Sequence, residues 1–161
     1  MKSDLPERTF AFAARVVRIC LHLDESSEVS RTLANQLLRS GTSIEANVEE
    51  GQVAQSTAHE VRQHVDGVVK RSETARDKVE GSTRWVPSGQ RDAHFISKYS
   101  IACKEARETH YWLRLLAETE LLSTGLITPL QAECNEIIAI LTSIIKKLRA
   151  EEIPKSNRKP K

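Results

Sequence analysis

The chain contains few of the residues that interrupt helices or that build disulfide-bonded scaffolds. Only 6 Gly and 5 Pro occur among 161 residues, and aromatic residues make up 4%. Because β-rich and disordered chains carry more turn-forming residues, this scarcity predicts a helical globular protein of one domain. The 3 cysteines form no Cys-x-x-Cys pair, which favours a reducing compartment over a disulfide framework.

Long apolar runs and targeting signals are also missing. No run approaches the roughly 18 apolar residues that a membrane span needs. The opening MKSDLPER carries no apolar signal segment, so we expect a cytoplasmic protein. The net charge is only +2, but residues 146–161 hold seven Lys and Arg against two Glu. The basic character is therefore local to this end of the sequence.

Helical periodicity is present in four segments. Capping boxes and apolar stripes predict an all-α, antiparallel four-helix bundle with helices near residues 7–23, 27–55, 93–122 and 129–152. The Ser and Thr-Pro signals place two of these starts, with Thr128 as the cap and Pro129 as the first residue of the fourth helix. The predicted division is a bundle over 1–154, an insert at 57–92 between helices 2 and 3, and a disordered basic tail at 155–161. The insert is predicted either to extend the second helix or to form a separate arm, followed by a loop.

The second predicted helix carries RTLANQLLRSGTSIEANVEEGQ at residues 31–52. Its small residues, from Ser40 to Ser43, favour close packing between helices over a ligand site, because small side chains let backbones approach. Asn47 lies close to the apolar stripe and is expected to be a buried polar group that fixes helix pairing. A subunit contact is the alternative for both features.

The first predicted helix has more apolar surface than one core requires. Its apolar side chains cover an arc of roughly 220°, whereas a surface helix needs about 100°. It is therefore either the central helix of the bundle or a helix whose second face packs on another subunit. The candidate interface residues are Phe12, Val16 and Ile19 here, and Ile101, Glu105, Glu108, Trp112 and Leu115 in the third helix. In that arrangement Arg15 and Arg18 would pair with Glu105 and Glu108 of a neighbour.

No catalytic constellation is visible. His59 and His64 are five residues apart, which separates them by about 140° on a helix and does not fit the zinc-helix spacing. The Glu-x-x-His pairs of di-iron bundles are missing, since Glu108 stands where Glu105 would need a histidine. Cys20 lies on an apolar face, where thiols are usually inert. We therefore predict no enzyme activity, no metal and no cofactor.

Three stretches, QLLRSGTSI, KEARET and ILTSII, resemble the bacterial four-helix-bundle proteins of the 23S rRNA intervening-sequence family, and the opening RTFAFAARVVRIC fits as well. The similarity covers residues 8–55 and 95–149. It implies a helical bundle that assembles into pentameric rings. Some members of that family are accessory proteins of retroelement reverse transcriptases, and the family's activity is poorly defined.

The chain departs from the family pattern between the second and third helices. Family members join these helices by a few residues, whereas nearly forty residues intervene here before Phe95. A longer connection there could permit a ring or block it, so the insertion affects the expected assembly more than the expected fold.

Two function classes remain. The first is a homo-oligomeric accessory protein that binds RNA or DNA weakly and without sequence specificity. Its candidate phosphate-binding residues are Arg8, Arg15, Arg18, Lys146, Lys147 and Arg149. The alternative is a protein–protein scaffold that uses Trp112, Leu115 and the arm around Trp85, without nucleic-acid binding.

Overall fold

A computed structural model describes the backbone of residues 5–24, 27–72 and 88–152, and the side chains of residues 5–23, 27–53 and 93–150. The described residues form four α-helices and no strand. These helices are α1 (Leu5–Asp24), α2 (Glu28–Ser72), α3 (Ser88–Glu118) and α4 (Thr124–Glu152). The predicted all-α four-helix bundle is confirmed.

The start of α2 follows the predicted serine cap. Ser27 Oγ accepts a hydrogen bond of 3.0 Å from the backbone N–H of Ser30, which satisfies one of the free donors of the first turn. The helix then continues past the predicted end at residue 55 as far as Ser72, so it is 45 residues long. Over residues 57–72 the backbone of the insert extends the second helix, which is one of the two predictions, and residues 73–87 lie outside the described backbone.

The turn between α3 and α4 lies earlier than predicted. Helix α3 ends at Glu118 rather than near 122, and Glu120 adopts the left-handed conformation with φ 53°. Its N–H donates to the carbonyl of Ala117 at 3.2 Å, as in a Schellman-type end. Helix α4 begins at Thr124, so Pro129 lies inside it rather than at its first position. Ser123 opens the helix because its carbonyl accepts from Leu126 and Ile127.

Apolar side chains from all four helices fill one core. Each large aliphatic side chain buried there contributes roughly 1.5–3 kcal/mol. The fully buried members include Phe12, Val16, Leu37, Ile44, Val48, Ala106, Leu113, Leu116, Ile137 and Leu141.

Consecutive helices pack antiparallel to one another. Val16 of α1 faces Gly41 of α2, while Cys20, one turn further along α1, donates to the carbonyl of Ala34, which lies earlier in α2. The α2–α3 and α3–α4 pairs run in the same antiparallel way. Among the helix pairs that pack on each other, α1 and α4 have the smallest contact, so this side of the bundle is the most open.

The small-residue patch of α2 packs as predicted. Gly41 is buried, and a Cβ there would lie only 2.8 Å from Val16 Cγ1. Ser40 is buried on the α3 side, where it accepts a hydrogen bond of 3.0 Å from Thr109. Asn47 is different, because its side-chain amide donates to the Ser43 carbonyl of its own helix at 2.8 Å. The prediction that Asn47 fixes the pairing of two helices is therefore wrong.

Candidate nucleic-acid interface

The predicted phosphate-binding residues of α1, which we call the basic stripe, are Arg8, Arg15 and Arg18. One of the three, Arg8, forms ion pairs within the chain instead. Arg8 contacts Glu133 at 2.8 Å and Glu136 at 2.5 Å, both on α4. These hydrogen bonds raise the pKa of Arg8 above its ordinary value. Arg8 therefore joins α1 to α4 and is not a free phosphate-binding group. Arg15 is half-buried, which leaves Arg18 as the exposed cation of the stripe.

The basic residues at the end of α4 are placed differently. Lys146, Lys147 and Arg149 are exposed, and no ion pair joins them to another described side chain. Lys146 and Arg149 are three residues apart and share one face of the helix, whereas Lys147 is turned about 100° from Lys146. Lys146 and Arg149 therefore form the free basic face of this helix end.

A shallow groove of about 490 Å³ lies beside Arg149, between the first half of α3 and the end of α4. The α3 side provides two hydroxyls and a second cation, Lys104. Neither Lys104 nor Arg149 pairs with an acidic side chain in the described part of the chain. The lining residues are Ala93, Ile96, Ser97, Ser100, Ile101, Lys104 and Arg149.

Three of the predicted interface residues are buried inside the chain. Phe12, Val16 and Ile19 are at most 6% exposed and pack in the core of the bundle. They are core residues of a single chain, so an interface on α1 has to use other side chains. Periodicity alone did not separate the two apolar faces of this helix.

The acidic residues of α3 also have a partner within the chain. Arg39 of α2 forms an ion pair with Glu108 and lies 3.9 Å from the Glu105 carboxylate. Trp112 donates through its indole N–H to Glu108 at 3.4 Å and packs on the core. The predicted pairing of Glu105 and Glu108 with Arg15 and Arg18 of a neighbour is therefore corrected to this α2–α3 contact. Within the described residues, Glu105 Oε2 is buried and accepts no hydrogen bond.

The remaining predicted interface residues of α3 lie nearer the surface. Ile101 is exposed and lines the groove, and Leu115 is half-buried.

The exposed apolar surface of α1 is formed by other residues. Phe10 is 67% exposed, Leu21 is 65% exposed, and Val17 between them is also exposed. These residues are spaced seven and four apart, so they form one stripe along the helix. We call Phe10, Val17 and Leu21 the α1 stripe. Such a row of large apolar side chains is typical of a contact surface.

Nucleophilic or metal chemistry gains no support from the described thiols. Burial raises the pKa of Cys20 to about 11, and that of Cys134 to about 12 with a smaller effect of Glu133. Both thiols are therefore protonated at neutral pH. Across the described residues, no group of three or more His, Cys, Asp and Glu is placed to hold a metal ion. In the same part of the chain, no helix has the length and apolar character of a membrane span.

Some sequence-based predictions fall outside the described side chains. These are the His59 and His64 pair, the arm around Trp85 and the basic tail at 155–161.

The groove contains residues that sequence reasoning missed. The sequence alone does not predict a binding role for Lys104, Ser97 and Ser100, because an isolated Lys and scattered Ser are common on any exposed helix face. Their spacing of three and four places them on one side of α3, which was the available signal. The sequence does not indicate that Arg149 of α4 lies opposite these residues of α3.

Comparison with solved structures shows which family the chain resembles. No protein-family model matches the chain, and no curated protein matches it. A crystal structure of a protein of unknown function from Bacteroides thetaiotaomicron, assigned to the S23 ribosomal protein family, is 30% identical with a TM-score of 0.59. The match covers 88% of this chain and 98% of that chain. Identity at this level over nearly the whole length of that structure shows that the chain belongs to the S23 ribosomal protein family.

Proposed function

We propose that this protein is a non-enzymatic accessory protein that binds RNA or DNA as a homo-oligomer. The observation that carries the proposal is the group of unpaired, exposed cations at the α3–α4 end: Lys104, Lys146 and Arg149. Arg8 and Arg39, by contrast, are engaged by carboxylates of the same chain. Cations without a carboxylate partner are the ones available to replace counterions on a phosphate backbone.

The sequence and the family support the same partner. The basic segment 155–161 begins three residues after the last residue of α4 and adds four cations to the sequence there. Membership in a family named for a ribosomal protein, together with the resemblance to rRNA intervening-sequence proteins, agrees with nucleic acid as the ligand.

The α1 stripe supports assembly. Phe10 and Leu21 are 67% and 65% exposed in a single chain, and burying both in a contact between copies would contribute at most roughly 1.5–3 kcal/mol each, with a smaller contribution from Val17. A ring of copies would repeat the cationic end of the bundle. The resemblance favours five copies.

Assembly is tested by light scattering coupled to size exclusion. We expect the wild-type protein to give a multiple of the 18.1 kDa chain mass, five by resemblance. Phe10→Ser combined with Leu21→Ser should give smaller particles. Leu126→Ser, which also removes an exposed apolar side chain, serves as the control. A wild-type particle of one chain mass would contradict the homo-oligomer.

Binding is tested by anisotropy with labelled RNA and duplex DNA across about 50 to 200 mM salt. We expect affinity to fall steeply with salt and to depend little on sequence. Lys104→Ala with Arg149→Ala should weaken binding more than Arg18→Ala with Arg114→Ala, which removes the same charge from other exposed positions. A chain lacking residues 155–161 should also bind more weakly. Absence of binding at low salt would contradict the proposal and leave the protein–protein scaffold as the better explanation.

A further inference from the structure

We propose that the α3–α4 groove seats one nucleotide of a single strand, so that the protein prefers single-stranded RNA or DNA to a duplex. The inference rests on the proposed function and adds the site and the form of nucleic acid that it takes. Its residues are the groove lining given above, with Lys104 on one wall and Arg149 on the other.

The polar groups of the groove match a phosphate. Lys104 and Arg149 come from two different helices, so a phosphate between them meets cations from both sides. Within the described residues the Ser97 hydroxyl makes no hydrogen bond, so it is able to donate to a ligand. Ser100 donates its own proton to the Ile96 carbonyl at 2.7 Å, so it acts as a wall rather than as a donor to the ligand. Hydrogen bonds from Lys104 and Arg149 to a phosphate would be charge-assisted, and such bonds are roughly twice as strong as those between neutral groups.

The apolar part of the groove distinguishes a nucleotide from a bare phosphate. Ile96 is nearly buried at the floor, and Ile101 is exposed beside it, with Ala93 at one end. An unpaired base or a sugar can pack its faces on these carbons, whereas paired bases in a duplex are stacked on one another. A volume of about 490 Å³ is that of a small-molecule site and accommodates one nucleotide unit.

The groove contains no residue of the α1 stripe, so the same residues need not serve both assembly and nucleotide binding. Each copy would therefore offer one groove. A flexible single strand can pass from one groove to the next, and linked sites of this kind raise affinity by roughly 10²–10⁴.

The test fills the groove without changing charge. Ser97 is exposed, so Ser97→Phe places a ring over the lining at unchanged net charge, and Ser143→Phe on the outer face of α4 is the matched control. Oligouridylate, oligothymidylate and a blunt duplex of equal length are the probes, read by anisotropy at low salt. Ala93→Phe repeats the filling at a second wall position if Ser97→Phe alters the thermal melt.

We expect Ser97→Phe to weaken binding of both single strands about tenfold, because the ring takes the place of the seated nucleotide. Duplex binding and the Ser143→Phe protein should be unchanged. Uridine 5′-monophosphate should displace oligouridylate at lower concentration than inorganic phosphate does. Four results would overturn the groove assignment and leave the proposed electrostatic binding intact. In the wild type these are comparable affinity for duplex and single strand, or equal competition by phosphate and uridine 5′-monophosphate. In Ser97→Phe they are no loss of affinity, or an equal loss for duplex and single strand. No binding of any probe by the wild type would overturn both.

Discussion

Gly41 sets how closely α1 and α2 approach. A Cβ at this position would lie 2.8 Å from Val16 Cγ1, closer than such atoms are found, and a tight 3.1 Å from Val16 Cγ2. Since Val16 is fully buried and branched, it has little freedom to move aside. The helix therefore keeps a glycine in its interior although glycine costs about 1 kcal/mol against alanine there.

We expect Gly41→Ala to lower the free energy of unfolding by about 1–3 kcal/mol, the cost of overpacking. Chemical denaturation measures it. Gly125→Ala is the control, because a Cβ at Gly125 meets no atom within 4 Å. Adding Val16→Ala to Gly41→Ala should cost less than the sum of the two single changes, since the clash is shared. A Gly41→Ala protein as stable as wild type would contradict the close approach.

Glu45 gives the fold a dependence on pH. Burial raises the pKa of Glu45 above its ordinary value, the hydrogen bond from Thr9 lowers it, and the charge of Glu49 raises it again. A raised pKa in the folded state means that the protonated form is favoured there. The contribution to stability is therefore fully present below the unfolded value of 4.5 and is lost as pH rises through the folded pKa.

Glu45→Gln should accordingly raise Tm at neutral pH, because the amide carries no charge to desolvate. The gain should shrink to nothing near about pH 4, where the wild-type carboxyl is itself protonated. Thermal melts of both proteins across this range measure it, with Glu118→Gln as an exposed control. A gain that persisted at low pH would mean that packing, not charge, is responsible.

At the scale of elements, Arg8 holds α1 to α4 across the most open side of the bundle. Its guanidinium contacts Glu133 and Glu136, and few other contacts join these helices. We expect Arg8→Ala to lower the free energy of unfolding by up to about 1 kcal/mol, because the group is partly exposed and screened. A double-mutant cycle with Glu133→Gln isolates the pair.

Arg8→Ala should leave RNA affinity no weaker than Arg18→Ala does. An affinity loss as large as that of Arg149→Ala would show that Arg8 reaches phosphate despite its carboxylate partners.

Helix types were predictable from the sequence, but several contacts and ends were not. The stripe of Leu37, Ile44 and Val48 repeats at helical spacing and was recognised directly. In α1 both Phe12–Val16–Ile19 and Phe10–Val17–Leu21 have helical spacing, and only the neighbouring helices decide which face is buried.

Two further features were not predicted, each for its own physical reason. Arg8 and Glu133 are 125 residues apart in sequence, so their pairing leaves no local trace. Pro129 is a sequence signal for a helix start, but α4 begins five residues earlier and carries Pro129 as its sixth residue, where the missing N–H leaves the Gly125 carbonyl without its usual hydrogen bond. The candidate site was half predicted, since Arg149 was selected and its partner Lys104 across the groove was not.

The whole molecule is proposed to bind nucleic acid through repeated weak sites. One chain offers one groove and a short basic end, which for non-specific contacts corresponds to dissociation constants of roughly 10⁻⁴–10⁻⁶ M. We expect the Phe10→Ser, Leu21→Ser protein to bind a long oligouridylate about 10²-fold more weakly than wild type, because avidity is lost. A short oligouridylate that fills one groove should bind both proteins equally. A similar loss for both lengths would point to misfolding instead.

The weak contact between α1 and α4 also has a kinetic consequence. Nearly all packing joins helices that follow one another in the chain, so the bundle has few distant contacts to close before it is compact, and such topologies fold quickly. The Arg8 ion pairs join the two sequence-distant helices and need form only after the transition state. Stopped-flow mixing should then show that Arg8→Ala unfolds faster than wild type and refolds at the same rate. The ion pairs between the first and last helices would then lengthen the lifetime of the native state by slowing unfolding, and would leave the folding rate unchanged.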